Sequence, residues 1–210
     1  MDQDRRDVVV WDFDGPIIES RDLTFGLRQI EYPELTIEGY IEMHESNFFS
    51  ALRERGYKKS GEIDYLAQYA SGILGIAPVE GVAETIRQIA EGGFQQSIVS
   101  GNEGRAIEAY LERYAMKTHL PYILGSDFSK SKVEKFAEAL RRHGVGPEQV
   151  LYVTDTPGDV REARELGIDC IAISWGFCPR EMLMRASPAR FVESPHEVLS
   201  AVLERFRKAD

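Results

Sequence analysis

Apolar residues fall in short unbroken runs separated by stretches of helical period. Val8-Val9-Val10-Trp11 is the first run and stops at Asp12. Ser97-Ile98-Val99 stops at Ser100, Val150-Leu151-Tyr152-Val153 at Thr154-Asp155, and Cys170-Ile171-Ala172-Ile173 at Ser174-Trp175. Runs without polar alternation suit strands covered on both faces, as in a parallel sheet. The intervening stretches repeat at helical spacing. Val82, Ile86 and Ile89 share one face, and Gly92-Gly93 ends it. Val133, Phe136, Ala137 and Leu140 form a second stripe, with Ser131 and Glu134 in capping-box spacing and Gly144 and Pro147 closing it. Val160, Ala163 and Leu166 form a third, ended by Gly167. Strand-helix alternation of this kind predicts an α/β fold, a doubly wound parallel sheet of Rossmann-like type.

One segment breaks the alternation. Residues 16–78 contain no clear strand but three helix-compatible stretches, 23–30, 37–55 and 63–74, punctuated by Pro33, Gly56, Gly61 and Gly75. About sixty residues is far beyond an ordinary strand-helix connection. The expected organisation is a core of residues 1–15 plus 79–210, with a helical insert, 16–78, over the carboxyl edge of the sheet.

Composition narrows the function. Hydrophobic residues make up 43% of the chain, enough for a sizeable core, and the formal net charge is -10. No basic face or stripe is visible, which argues against a nucleic-acid partner. Arg141-Arg142 sits among acids and reads as a solvated helix face. The apolar runs are far shorter than the roughly 20 residues of a membrane span. The charged start, Met1 to Asp7, lacks the layout of a secretory signal. The expectation is a soluble cytoplasmic protein. Cys170 and Cys178 form no CxxC pair and have no histidine close by in sequence, so zinc is not expected, and Cys170 reads as a buried thiol.

In a parallel sheet, ligands bind beyond the carboxyl ends of the strands. The residues there are Asp12, Asp14, Ser100, Asp155 and Asp159, all bearing oxygen. Crowded carboxylates repel unless a cation intervenes, and an all-oxygen donor set points to magnesium. Asp12 and Asp14, in Trp11-Asp12-Phe13-Asp14-Gly15-Pro16, offer a nucleophile and a separate proton donor beside a turn that glycine permits. An EF-hand loop also uses DxDG, but no EF-hand continuation follows. Ser100, followed by Gly101 and Asn102, either holds a phosphate oxygen or caps a helix. Of Lys130 and Lys132, one is expected at the mouth of the acidic crevice and the other on the surface. Asp155 and Asp159 straddle Pro157-Gly158 and can approach one metal, although Asp159 can instead cap the following helix.

These residues resemble the haloacid dehalogenase-like superfamily, specifically its capped phosphatases, with four motifs in the family's order across most of the chain. The resemblance implies that Asp12 becomes an aspartyl-phosphate and that Asp14 is the general acid and base. It implies that Ser100 binds phosphate, with Gly101 and Asn102 beside it. It further implies that Mg2+ is held by Asp12, the Asp14 carbonyl, Asp155 and Asp159. The family usually has glycine where Thr154 stands. For the lysine, one family version selects Lys130 but lacks its prolines here. Another selects Lys132, which the capping box places in the first helical turn. Residues 16–78 fall where the family places its helical cap, and Val79-Glu80-Gly81-Val82 looks like its return into the core. Trp175-Gly176-Phe177 is similar to the C-terminal stretch of phosphoglycolate-phosphatase-like members. The implied activity is Mg2+-dependent hydrolysis of a small phosphorylated metabolite. A sugar-phosphate mutase of the same superfamily and a receiver-like phospho-acceptor are the rivals.

Overall fold

Six strands pair in parallel in the order β3-β2-β1-β4-β5-β6. They are β1 Val8–Trp11, β2 Gln95–Val99, β3 Tyr122–Leu124, β4 Val150–Thr154, β5 Asp169–Ile173 and β6 Arg190–Val192. The computed structural model describes residues 7–207, so the charged stretch 1–6 lies outside the described residues. The four apolar runs are the four central strands, and Trp11 lies opposite both Ile98 and Val153. Both sheet faces are covered. Val9, Trp11, Ile98 and Ile171 pack under α5 (Val82–Glu91), α6 (Gly104–Arg113) and α10 (Pro195–Arg207). Val8, Val10, Val99 and Tyr152 pack under α7 (Lys132–His143) and α8 (Pro157–Glu165). Strand order reverses between β1 and β4, which opens a crevice at their carboxyl ends, where Asp12 and Asp155 stand.

The edge strands β3 and β6 were not legible in the apolar pattern. Each has three residues and only one buried, because an edge strand is covered less completely. The α7 stripe also differs from expectation. Lys132, Lys135, Phe136, Ala139 and His143 are buried, while Ala137 is exposed. The helix turns two lysines inward because both find oxygen partners there. Its capping box is half formed: Ser131 Oγ accepts from the Glu134 amide, but Glu134 accepts from Ser129 Oγ instead of the cap backbone. Arg141 and Arg142 both pair with Glu138, as a solvated face would.

Residues 16–78 carry α1 (Arg21–Glu31), α2 (Ile37–Met43), α3 (Phe48–Glu54) and α4 (Tyr65–Ile73). The single stretch expected over 37–55 is two helices. Thr36 caps α2 by accepting from the Gly39 amide, and Asn47 starts α3 by accepting from the Ser50 amide. The entry and exit of the segment are tied together: Ile18 bridges both Asp14 and Pro78, and the Val79 amide donates to the Ile17 carbonyl. The segment shares its packing with the sheet. Leu27, Tyr69 and Ile73 join the cluster around Val9 and Trp11, and Tyr40, Met43 and Leu52 pack with Ala172, Phe177 and Leu183. A short helix, α9 (Arg180–Arg185), completes that third cluster through Met182 and Leu183. Cys170 and Cys178 are buried free thiols whose pKa burial pushes up, so neither is a poised nucleophile. Among the described residues no helix is long and apolar enough to cross a membrane.

Candidate active site

Strand β1 delivers Asp12 to the crevice with its amide bonded to the Val153 carbonyl of β4. The chain then turns at Gly15, whose φ of +96° is left-handed. A Cβ there would lie 2.0 Å from Asp155 Oδ2, so glycine is required twice over. The Asp12 Oδ1 accepts from the Phe13 amide at 2.7 Å. Its Oδ2 accepts from Lys132 Nζ at 2.8 Å.

Lys132 settles into the site from the first turn of α7. Its ammonium donates to Asp12, to Asp159 Oδ2 at 2.6 Å and to the Tyr152 hydroxyl at 3.0 Å. Burial works against this ammonium, but Asp12 and Asp159 outweigh it and hold the lysine firmly charged. Lys130 lines the same cavity but is exposed at its rim. The sequence missed a third lysine. Lys135, one turn beyond Lys132, is fully buried, with Nζ 2.5 Å from the Ser100 carbonyl. Its three-residue spacing from Lys132 was the available signal.

The turn after β4 brings Asp155 and Asp159 to the same cavity. Thr156, not Asp159, caps α8 by accepting from the Asp159 amide. The Asp159 Oδ2 accepts from Lys132, from Thr154 Oγ1 at 2.8 Å and from Tyr152 at 3.1 Å. The hydroxyl of Thr154 is therefore an orienting donor. Burial raises the Asp159 pKa, but Lys132 and the hydrogen bonds from its neighbours outweigh that and leave it below the usual carboxylate range. Asp155 is fully buried between Gly15 and Gly176, where Cβ atoms would collide with it. Its Oδ2 accepts from the Phe177 amide at 2.6 Å, while its Oδ1 has no hydrogen-bond partner among the described residues. Burial pushes its pKa up to about 7, against the pull of the Phe177 amide.

Asp14 is held by donors from three parts of the chain. Ser20 Oγ reaches Oδ1 at 2.5 Å, Asn102 Nδ2 reaches Oδ2 at 2.7 Å, and the Tyr69 hydroxyl lies 3.0 and 2.9 Å from the two oxygens. Burial raises the Asp14 pKa, and these donors oppose it. Burial also raises the Asp12 pKa, against Lys132. Ser100 is buried and accepts from the Asn102 amide at 3.1 Å; it caps no helix. Gly101 and Asn102 line the cavity.

Part of this set borders a cavity of about 150 Å³, while Ser100, expected to hold phosphate, is fully buried and not among its lining residues. Asp12, Asp14, Lys132, Asp155, Asp159, Gly101 and Asn102 line its floor. The opposite wall comes from residues 16–78, including Arg28, Tyr40, His44 and Tyr65. Burial lowers the His44 pKa to about 4, so this histidine is neutral.

Asp12, Asp14, Asp155 and Asp159 give the floor an all-oxygen set of side-chain donors. Among the described residues, no group of three or more His, Cys, Asp and Glu side chains is placed to hold a metal ion by itself. Asp155 Oδ1 is nonetheless buried without a hydrogen-bond partner among the described residues, and burial raises the pKa values of Asp12 and Asp155. Two carboxylates with the rest of the coordination left to water suit Mg2+, which keeps several waters.

Comparison with known proteins agrees with the fold. The model of the family described as haloacid dehalogenase-like hydrolase matches residues 9–173. A phosphoglycolate phosphatase of Synechococcus elongatus is 24% identical over 209 residues, covering 95% of this chain and 99% of that one. Among solved structures, a haloacid dehalogenase-like family hydrolase from Streptococcus pneumoniae superposes with a TM-score of 0.74 at 21% identity, over 94% of this chain and 98% of the other. CbbY from Rhodobacter sphaeroides, in complex with xylulose-(1,5)bisphosphate, gives 0.73 at 18% identity, over 91% and 96%.

Proposed function

Because the chain belongs to the haloacid dehalogenase-like hydrolase family and is a phosphatase of that family, we propose that it hydrolyses a small phosphate monoester through an aspartyl-phosphate on Asp12. The observation that carries this reading is the Lys132 ammonium between Asp12 and Asp159, with Asp14 independently anchored beside them. An Asp12 oxygen attacks phosphorus, and the ester oxygen leaves with the proton of the Asp14 carboxyl. Asp14, now a carboxylate, takes a proton from the water that attacks the aspartyl-phosphate. Phosphate departs and Asp12 is restored. The raised Asp14 pKa helps it carry the first proton.

Lys132 offsets the charge that gathers on the phosphoryl oxygens and fixes the Asp12 rotamer. Asp159, Thr154 and Tyr152 in turn fix Lys132 and its acceptor. Ser100 and the backbone of Gly101 and Asn102 are the phosphate-binding groups. Mg2+, held by Asp12, the Asp14 carbonyl and Asp155 with Asp159 alongside, would neutralise phosphoryl oxygens. Residues 16–78 act as the cap that keeps bulk water from the intermediate. The Synechococcus relative makes 2-phosphoglycolate the first ester to assay.

The test is phosphate release from a panel of monoesters with Mg2+, for wild type and Asp12→Asn. Release is expected to fall by roughly three orders of magnitude or more in the variant. Equal activity in the two proteins would remove Asp12 as nucleophile. Transfer to a sugar hydroxyl without free phosphate would replace hydrolysis by a mutase reaction.

A further inference from the structure

One buried cation beside the cavity has no part in the chemistry on Asp12. Lys135 is fully buried and borders the cavity from α7, one turn beyond Lys132. An ammonium carries three N–H donors and no acceptor. Among the described residues no carboxylate pairs with this one, and the acceptor it meets is the Ser100 carbonyl, 2.5 Å from Nζ. Burial and the like charge of Lys132 push its pKa down to about 8, while Asp12 and Asp159 pull the other way, so it is still cationic at neutral pH. A buried charge without a partner is costly to the fold.

The turn that Lys135 holds has one backbone donor to spare. The Ser100 amide donates to the Leu124 carbonyl at 3.1 Å, and the Asn102 amide donates to Ser100 Oγ at 3.1 Å. The Gly101 amide between them has no acceptor among the described residues. Gly101 borders the cavity, and a Cβ built on it would meet nothing within 4 Å. Among the described residues no peptide bond is cis, so the Ser100 carbonyl and the Gly101 N–H point in opposite directions from one peptide plane. By gripping the carbonyl, Lys135 fixes the direction of that N–H. A cation on the carbonyl also polarises the peptide and strengthens its N–H as a donor.

A phosphoryl group on Asp12 would bring anionic oxygens into the cavity that Gly101 and Lys135 both border. The protein places Asp12 and Asp159 against Lys132 and no such partner against Lys135. We propose that Lys135 is the positioning residue of the phosphate-binding turn: it grips the Ser100 carbonyl, turns the Gly101 amide to a phosphoryl oxygen, and offsets the charge of the bound phosphate. Lys132 then orients the nucleophile and Lys135 the turn, from successive turns of one helix. This rests on the phosphatase reading above, which assigns the turn to phosphate.

The test titrates inorganic phosphate, with Mg2+, into protein carrying isotope-labelled glycine and follows the amide resonances by NMR. Gly101→Ala, which has room for its Cβ, assigns the resonance by removing it. In wild type, phosphate should move the Gly101 amide proton downfield, as a new acceptor does. Lys135→Met should shrink that shift and raise the Kd for phosphate about tenfold or more, the worth of a contact to a charged group. Lys135→Arg, which keeps a charged donor, should recover part of the affinity. A wild-type Gly101 amide that does not answer to phosphate overturns the assignment and needs no Lys135 variant. So does a Lys135→Met protein that binds phosphate as tightly as wild type, even with a lower Tm, because the lysine would then serve packing alone. Absence of phosphate release from every ester, with the Gly101 response intact, would instead overturn the hydrolase reading and leave the role of Lys135 at the turn standing.

Discussion

Asp14 accepts hydrogen bonds from Ser20, Tyr69 and Asn102, which lie on three separate stretches of the chain. A carboxyl group that must point its proton at a leaving oxygen needs such anchoring. Tyr69→Phe removes one anchor and leaves two. The kcat/KM for an alkyl phosphate should fall about tenfold, whereas p-nitrophenyl phosphate should stay within about threefold, because its leaving group needs no proton. Equal losses on the two esters would mean that Tyr69 merely supports the fold. That Asp12, Asp14, Asp155 and Asp159 would reach one cavity was legible because they stand at or just past apolar runs that suit buried strands. Tyr69 and Ser20 were not. Tyr69 meets Asp14 across 55 residues through the docking of α4, which no local spacing encodes.

At the scale of elements, α7 shows what an apolar pattern misses. Val133, Phe136, Ala137 and Leu140 make a plausible stripe, yet the helix is turned so that Lys132 and Lys135 face inward. The four central strands were readable because coverage on both faces demands unbroken apolar runs, while β3 and β6, at the edges, carry no such demand. The inward turn of α7 has a measurable consequence. Burial, with the nearby Lys132 charge, lowers the Lys135 pKa from 10.5 to about 8. Between those values the unfolded chain binds more protons at this site than the folded protein. The contribution of Lys135 to stability therefore rises with pH across that window, and it is least favourable below about 8. The difference in Tm between wild type and Lys135→Met should shift in favour of wild type from pH 8 to 10. A difference that does not change with pH would show that Lys135 titrates normally.

At the scale of the whole molecule, the turn between α2 and α3 ties the helical segment to the sheet at the amino end of α8. Two kinds of contact meet there. Glu45 pairs with Arg161 at 2.9 Å and with Arg185 at 2.6 Å. The Gly158 amide donates to the His44 carbonyl at 2.9 Å, and a Cβ on Gly158 would lie 2.7 Å from the Ser46 carbonyl oxygen. The arginines of the ion pairs are 44% and 62% exposed, so each pair is worth about 0–1 kcal/mol and weakens with salt. The glycine contact is backbone against backbone and has no flexible end to yield. His44, Ser46 and Asn47 line the cavity, so displacing this turn moves the wall that faces Asp12. Gly158→Ala should therefore lower kcat/KM by about tenfold or more, while Glu45→Gln should change it less than about threefold. If Glu45→Gln proves as damaging, and high salt reproduces its effect in wild type, the ion pairs hold the segment in place. Otherwise the close approach at Gly158 does, and the geometry of the site depends on a residue that carries no chemistry of its own.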